Sequence, residues 1–286
     1  MPSITVSWAR PIISYEEIPH IFTEFLPQKE PFPYIIHSPP DRWGDRRTNG
    51  KLTCMYQDKI VVLEVTDIKV NEVCYWFKDI NYIEQGTLLL YSWIGIHGII
   101  DGKLSTSIIE YNSVVADLFN RIVKAIRQVH LILEHMADDL DLSKLEFLNK
   151  LNYKFYNYSH DSILPGGKII DAVYQPDIYE KFLVVFKRTI TLAHVTILTD
   201  KELIIIKDEE LVTVKKKYNF KNGGVWAYIP LDKIINMTII VNEKQGLLTF
   251  ILCVEKDTIS LIFSDLQQQD LGDLLREFKA IIKSDD

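Results

Sequence analysis

The sequence predicts an α+β chain of two tandem β-barrels, each closed by a C-terminal helix and joined by a helical linker. Three observations predict it. One ordered set of landmarks runs twice along the 286 residues. Short β-branched and aromatic runs alternate regularly with turn signals, as in sandwiches and barrels. Each set of strands ends in one helical stretch with an apolar face. The expected division is residues 1–135 for the first unit with its extended helix, 136–162 for the linker, and 163–286 for the second unit.

The first landmark is an Asp-Lys turn between β-branched runs. It occurs at Asp58-Lys59 before Ile60-Val61-Val62-Leu63, and at Asp200-Lys201 before Leu203-Ile204-Ile205-Ile206. Both predict hairpins. Aromatic strands follow at Val73 to Phe77 and at Val225 to Ile229, leading into Asp79-Ile80 and Asp232-Lys233-Ile234. Gln85-Gly86-Thr87-Leu88-Leu89 and Gln245-Gly246-Leu247-Leu248 are each expected to open a long strand. Short strands at Leu104 to Glu110 and Thr258 to Phe263 come next.

Helices close both sets. The second carries Leu271, Leu274, Leu275, Phe278 and Ile282 at helical spacing, with Ser264 or Asp265 as candidate cap. The first carries a heptad stripe, Val115, Leu118, Ile122, Ala125, Val129, Ile132 and Met136. Its extension past Arg127 calls for a further partner: the second unit, the segment Leu145 to Tyr158, or another subunit. An intrachain partner is favoured, because three heptads alone make a weak coiled coil. In the linker, Leu145, Leu148, Leu151 and Phe155 are expected on or near one face, and Tyr153, Phe155, Tyr156 and Tyr158 at an interdomain seam or, as the alternative, on an exposed interaction surface.

Composition narrows the function. With 47% apolar and 25% charged residues, the chain can bury a core in each half. The net charge of −7 supplies no broad nucleic-acid footprint. Cys54, Cys74 and Cys253 form no CxxC motif and read as buried free thiols of a reducing compartment. No signal peptide and no transmembrane span is evident, so a cytoplasmic protein is expected.

Motifs of chemistry are sparse. His130 and Glu134 share a helix face, but the HExxH pattern and a third ligand are missing, so no metal site is expected. Pro165-Gly166-Gly167-Lys168 lacks the spacing of a phosphate loop and reads as a turn into a strand. No catalytic residues and no cofactor are expected. The best ligand candidates are basic: Arg42, Arg46 and Arg47 in the first hairpin, Lys187 and Arg188 at the equivalent turn of the second unit, and Lys215-Lys216-Lys217 beyond it.

This strand order with one C-terminal helix resembles the pleckstrin-homology-like superfold, and within it the bacterial PH-like domains found as single or tandem copies. The resemblance spans residues 30–135 and 180–283. It implies a non-catalytic protein-interaction or scaffold module with a protein partner or self-association. Lipid-binding members grip inositol phosphates with cations of the first hairpin loop. The resemblance therefore also implies, as an alternative, anionic lipid or a phosphorylated ligand at Arg42, Arg46 and Arg47. An enzyme with a dispersed site is the second alternative.

Overall fold

The computed structural model describes residues 8–26, 31–43, 46–67, 69–129, 141–182, 186–212 and 217–284. The chain divides into two compact units. Unit 1 comprises Met1–His130 with Glu210–Gly223, and unit 2 comprises Leu131–Glu209 with Gly224–Asp286.

Unit 1 runs through β1 (Arg10–Ile12), β2 (Tyr34–Ser38), β3 (Asp41–Trp43), β4 (Arg46–Thr48), β5 (Lys51–Met55), β6 (Lys59–Thr66), β7 (Lys69–Trp76), β8 (Ile80–Leu88), β9 (Tyr91–Ile100), β10 (Lys103–Asn112) and helix α1 (Ala116–Val129). One sheet has the order β1-β2-β5-β6-β7, the meander β8-β9-β10 forms a second, and β3-β4 is a separate hairpin. The expected Asp-Lys hairpin is β5–β6, where Met55 faces Ile60 and the Tyr56 N–H donates to the Lys59 carbonyl at 2.9 Å. Ile60, Val62 and Leu63 of that hairpin are buried in the core.

The Gln85-Gly86 segment departs from expectation. It lies inside β8 rather than opening a strand, and the chain turns later, at Leu89-Leu90. Gly86 faces Trp93 across the ladder, and a Cβ there would lie 2.0 Å from the indole ring. The glycine thus serves the close approach of an aromatic ring, not a turn. The true turn breaks an apolar run because polar groups hold it. Leu89 takes φ 57°, and Ser113 Oγ donates to the Leu89 carbonyl at 2.8 Å.

The apolar face of α1 is also rotated from the expected stripe. Phe119, Ile122, Val123 and Ile126 are buried, at spacings of three and four, whereas Val129 is exposed. Only Ile122 belongs to both sets. Phe119 explains the rotation, since its ring stacks on Tyr111 of β10 with centroids 3.9 Å apart. Ile132 and Met136 lie outside the described residues.

Unit 2 contains α2 (Glu146–Leu151), α3 (Tyr153–Ser162), β11 (Ile169–Gln175), β12 (Ile178–Phe182), β13 (Phe186–Thr191), β14 (His194–Thr199), β15 (Glu202–Val212), β16 (Lys217–Pro230), β17 (Ile234–Asn242), β18 (Leu247–Val254), β19 (Asp257–Ser264) and α4 (Gln268–Ser284). Its main sheet has the order β11-β14-β15-β16, its meander is β17-β18-β19, and β12-β13 is a hairpin. The end of β15 and the start of β16 count with unit 1, where β16 lies beside β8. The second Asp-Lys pair turns β14 into β15, with Leu198 facing Leu203.

The segment before β11 forms two helices rather than one face. Leu145, Leu148 and Phe155 are buried, but Leu151 is exposed, because Asn152 leaves the helical region and caps α3 by accepting the Phe155 N–H. Phe155 packs on Tyr174 and Tyr158 on Trp226, both within unit 2, while Tyr153 is exposed. In α4, Leu271, Leu274 and Phe278 are buried as expected, and Leu275 and Ile282 are half-buried. Ser264 precedes the 3-10 turn that leads into α4, but its side chain makes no capping bond.

The expectation of two closed barrels is overturned: the sheets are open, and none returns on itself. The α+β character remains. Closure needs a continuous backbone ladder around the ring. Here side chains join one sheet to the other instead. In unit 1 the Tyr75 hydroxyl of β7 hydrogen-bonds with Ser105 and Ser107 of β10, at 3.1 and 3.0 Å. Buried Lys51 of β5 pairs with Glu110 of β10 at 2.9 Å and with Glu64 at 3.3 Å. In unit 2 the Ser264 N–H, at the end of β19, donates to Oε1 of buried Gln175, at the end of β11, at 2.7 Å. Such links leave strand edges exposed, and the candidate surfaces lie there.

Candidate interaction surfaces

The first surface is the β3–β4 hairpin. Its register sets Asp41 opposite Thr48, Arg42 opposite Arg47 and Trp43 opposite Arg46. Thr48 holds the base, because its Oγ1 accepts the Asp41 N–H at 3.0 Å. Asp41 Oδ1 accepts the Arg42 N–H at 2.7 Å. Directly opposed strand residues share a face, so the exposed Arg42 and Arg47 stand as a like-charged cross-strand pair. Like charges so placed repel, and a bound anion would relieve the repulsion.

The counterpart in unit 2 is built differently. Arg188 and Lys187 lie in strand β13 rather than in a turn, with Arg188 opposite Glu180 and Lys187 opposite Lys181. Arg188 is exposed, and a carboxylate stands across from it. Lys215 and Lys216 lie outside the described residues, as do His130 and Glu134. Pro165 to Lys168 forms the expected turn into β11, with Gly166 at φ 81° and the Lys168 N–H donating to Asp200 Oδ1 at 2.9 Å.

Two sheet edges form the remaining surfaces. In unit 1, β10 ends its sheet and exposes Leu104, Thr106 and Ile108 along one face. In unit 2, β17 ends its meander and exposes Ile235, Thr238, Ile240 and Val241. Neither is marked by a sequence motif. The signal that could have found them is an apolar strand at a sheet end, and sheet ends are decided by pairing.

Burial pushes the Cys54 thiol up to about 12, which leaves it an inert core side chain; Cys74 and Cys253 are half-buried. Burial lowers His194 to about 4, and its Nδ1–H donates to the Leu192 carbonyl at 2.9 Å. An open cleft of about 480 Å³ along α4 is lined by Arg276, Lys279 and Lys283 together with Leu275. Its charged groups are all cationic. Among the described residues, no three His, Cys, Asp or Glu side chains gather as a metal site. Nor, among them, is any helix long and apolar enough to cross a membrane.

No protein-family model matches the chain. No curated protein matches it either.

Proposed function

We propose that the chain is a non-catalytic protein-interaction module that takes an extended segment of a partner along an open sheet edge. The observation that carries this reading is β10. It is a ten-residue strand at a sheet end, with Leu104, Thr106 and Ile108 exposed. Its hairpin with β9 turns through Asp101-Gly102, both at positive φ (49° and 74°), which is the signature of a tight two-residue turn. Ile100 and Lys103 are then the hydrogen-bonded pair, so Leu104, Thr106 and Ile108 aim their N–H and C=O groups away from β9. An added strand would satisfy those groups, and Leu104 and Ile108 would supply apolar contact.

The test is selection of displayed random peptides on the immobilised protein, followed by Thr106→Pro. Proline at 106 removes an outward N–H and leaves the β9 ladder intact. β-branched, apolar peptides should be enriched, and the variant should bind them about tenfold more weakly, or about 1.4 kcal/mol. Failure to enrich peptides, or equal binding by the variant, would refute the reading. A second reading, binding of an anionic headgroup or phosphorylated ligand, is supported by the opposition of Arg42 and Arg47.

A further inference from the structure

We infer that unit 1 docks on an anionic lipid bilayer by immersing the β8–β9 turn, Leu89 and Leu90, together with Val114. The inference rests on the anion reading of the Arg42–Arg47 hairpin and assigns that anion to a membrane surface. It does not depend on peptide capture at β10.

Three observations carry it. First, the turn holds side chains that its backbone disfavours. Leu88 faces Tyr91 across the ladder, so Leu89 and Leu90 form a two-residue turn, and Leu89 takes φ 57°. Such turns favour Gly, Asn or Asp at positive φ, where a bulky side chain is strained. The other described non-glycine residues at positive φ are Asp67, Asp101 and Glu255, all charged. Leu89 is thus the one apolar case among the described residues. Leu89 and Leu90 are 60% and 58% exposed, and Val114 is 60% exposed. Glycine or asparagine would make the same turn with less strain and no exposed apolar surface. Strain kept together with such surface points to a role outside the fold.

Second, the turn is braced. The Ser113 N–H donates to the Leu90 carbonyl at 2.9 Å, and Ser113 Oγ donates to the Leu89 carbonyl at 2.8 Å. Ser92 Oγ lies 2.7 Å from Ser113 Oγ and donates to Thr87 Oγ1 at 3.0 Å. Val114 follows Ser113 directly, so the three exposed apolar residues are gathered on one hydrogen-bonded support. Little further ordering is then required on docking.

Third, size and charge select the occupant. A stable protein interface takes about 800 Å² from each partner, which three side chains at a hairpin tip do not supply. A bilayer needs no matching surface, since immersion removes the side chains from water whatever their arrangement. A cationic pair lies at the same end of the unit. The β3–β4 hairpin leaves its sheet between Ser38 and Lys51, which face one another. Lys51 Nζ meets Glu110 of β10 at 2.9 Å, and three residues further along the chain Ser113 binds the turn. The opposed Arg42 and Arg47 and the leucine turn therefore flank the same end of β10. Stable docking on a membrane takes two signals, such as apolar insertion and attraction to anionic headgroups, and unit 1 carries both.

The experiment is cosedimentation of the full chain with vesicles of phosphatidylcholine, with and without phosphatidylserine. A titration with inositol hexakisphosphate, which has phosphates but no acyl chains, accompanies it. The wild type is compared with Leu89→Asn/Leu90→Asn and with Arg42→Ala/Arg47→Ala. Asparagine tolerates positive φ, so the first variant keeps the turn, and thermal melts verify that both fold. The wild type should pellet with the phosphatidylserine vesicles. The asparagine variant should partition on the order of thirtyfold more weakly, yet bind inositol hexakisphosphate as the wild type does. The arginine variant should lose both. A wild type that stays in the supernatant overturns the proposal; if it still takes up inositol hexakisphosphate, the anion reading stands without a membrane. Equal pelleting of the asparagine variant and the wild type also overturns the proposal. An arginine variant that pellets like the wild type overturns the anion reading on which the proposal rests.

Discussion

Lowering the pH from 7 to 4 is expected to remove about 3 kcal/mol of folding free energy from unit 2 through one side chain, His194. His194 is 2% exposed, at the start of β14. Its Nδ1–H donates to the Leu192 carbonyl, so the neutral ring leaves Nε2 as a bare lone pair. Nε2 is buried with no hydrogen-bond partner, and the ring meets Phe263 edge-on at 4.7 Å. Protonation would place a cation and an unsatisfied donor in that core. Burial is the main cause of the lowered value; the Leu192 carbonyl raises it and Lys207, opposite His194 on β15, lowers it further. In the unfolded chain the ring titrates at the ordinary value of 6.5 and in the folded one at about 4. Between these values the unfolded state binds the extra proton, so stability is full above pH 6.5 and is lost as pH falls towards 4. A gap of about 2.5 units at about 1.4 kcal/mol per unit amounts to about 3.5 kcal/mol in all, of which about 3 kcal/mol is lost by pH 4, where the folded-state ring is half protonated. Urea unfolding of the wild type and His194→Asn across pH 4 to 7 measures it, since asparagine keeps a donor for Leu192 and cannot take up the proton. The wild type should lose about 3 kcal/mol more than the variant over this range. Parallel curves would refute the reasoning, as would an NMR titration of His194 near its ordinary value.

Two further outcomes follow from the geometry. Gly86→Ala should lower stability by about 1–3 kcal/mol, because its Cβ would enter the Trp93 ring. Gly272→Ala in α4, where a Cβ meets nothing within 4 Å, should raise it by about 0.5–1 kcal/mol; thermal melts of both variants check the pair. For the anion reading, the protein should sediment with anionic but not neutral vesicles, and Arg42→Ala with Arg47→Ala should abolish this. Arg188→Ala should not, because Glu180 stands across from Arg188. Equal sedimentation of the double variant would remove the hairpin as an anion site.

Much of the local structure was legible in the sequence. The Asp-Lys turns, the strand at Leu104 to Glu110 and the buried face of α4 follow from residue order, because turn chemistry and side-chain periodicity act over a few residues. The errors share one cause. Gly86 and Gly246 both follow glutamine, but Gly246 turns the chain at φ 62° whereas Gly86 makes room for Trp93. The Val115–Val129 stripe fits a heptad, yet Tyr111 draws Phe119 inward and rotates the helix. The three arginines of the first hairpin were visible as a cluster, but the register decides that Arg42 and Arg47 are the opposed pair.

The sequence by itself determined which segments extend, which coil, and which face of α4 turns to the core. Tertiary structure alone decided that the sheets stay open, that β16 lies beside β8, and that β17 is left at an edge. The physical reason is range. Hairpins and helix faces are set by neighbours in the chain, whereas closure and edges depend on which distant strands share backbone hydrogen bonds, and every strand offers the same backbone groups. Side chains such as Tyr75, Lys51 and Gln175 decide the matter by joining sheets where a ladder would otherwise run.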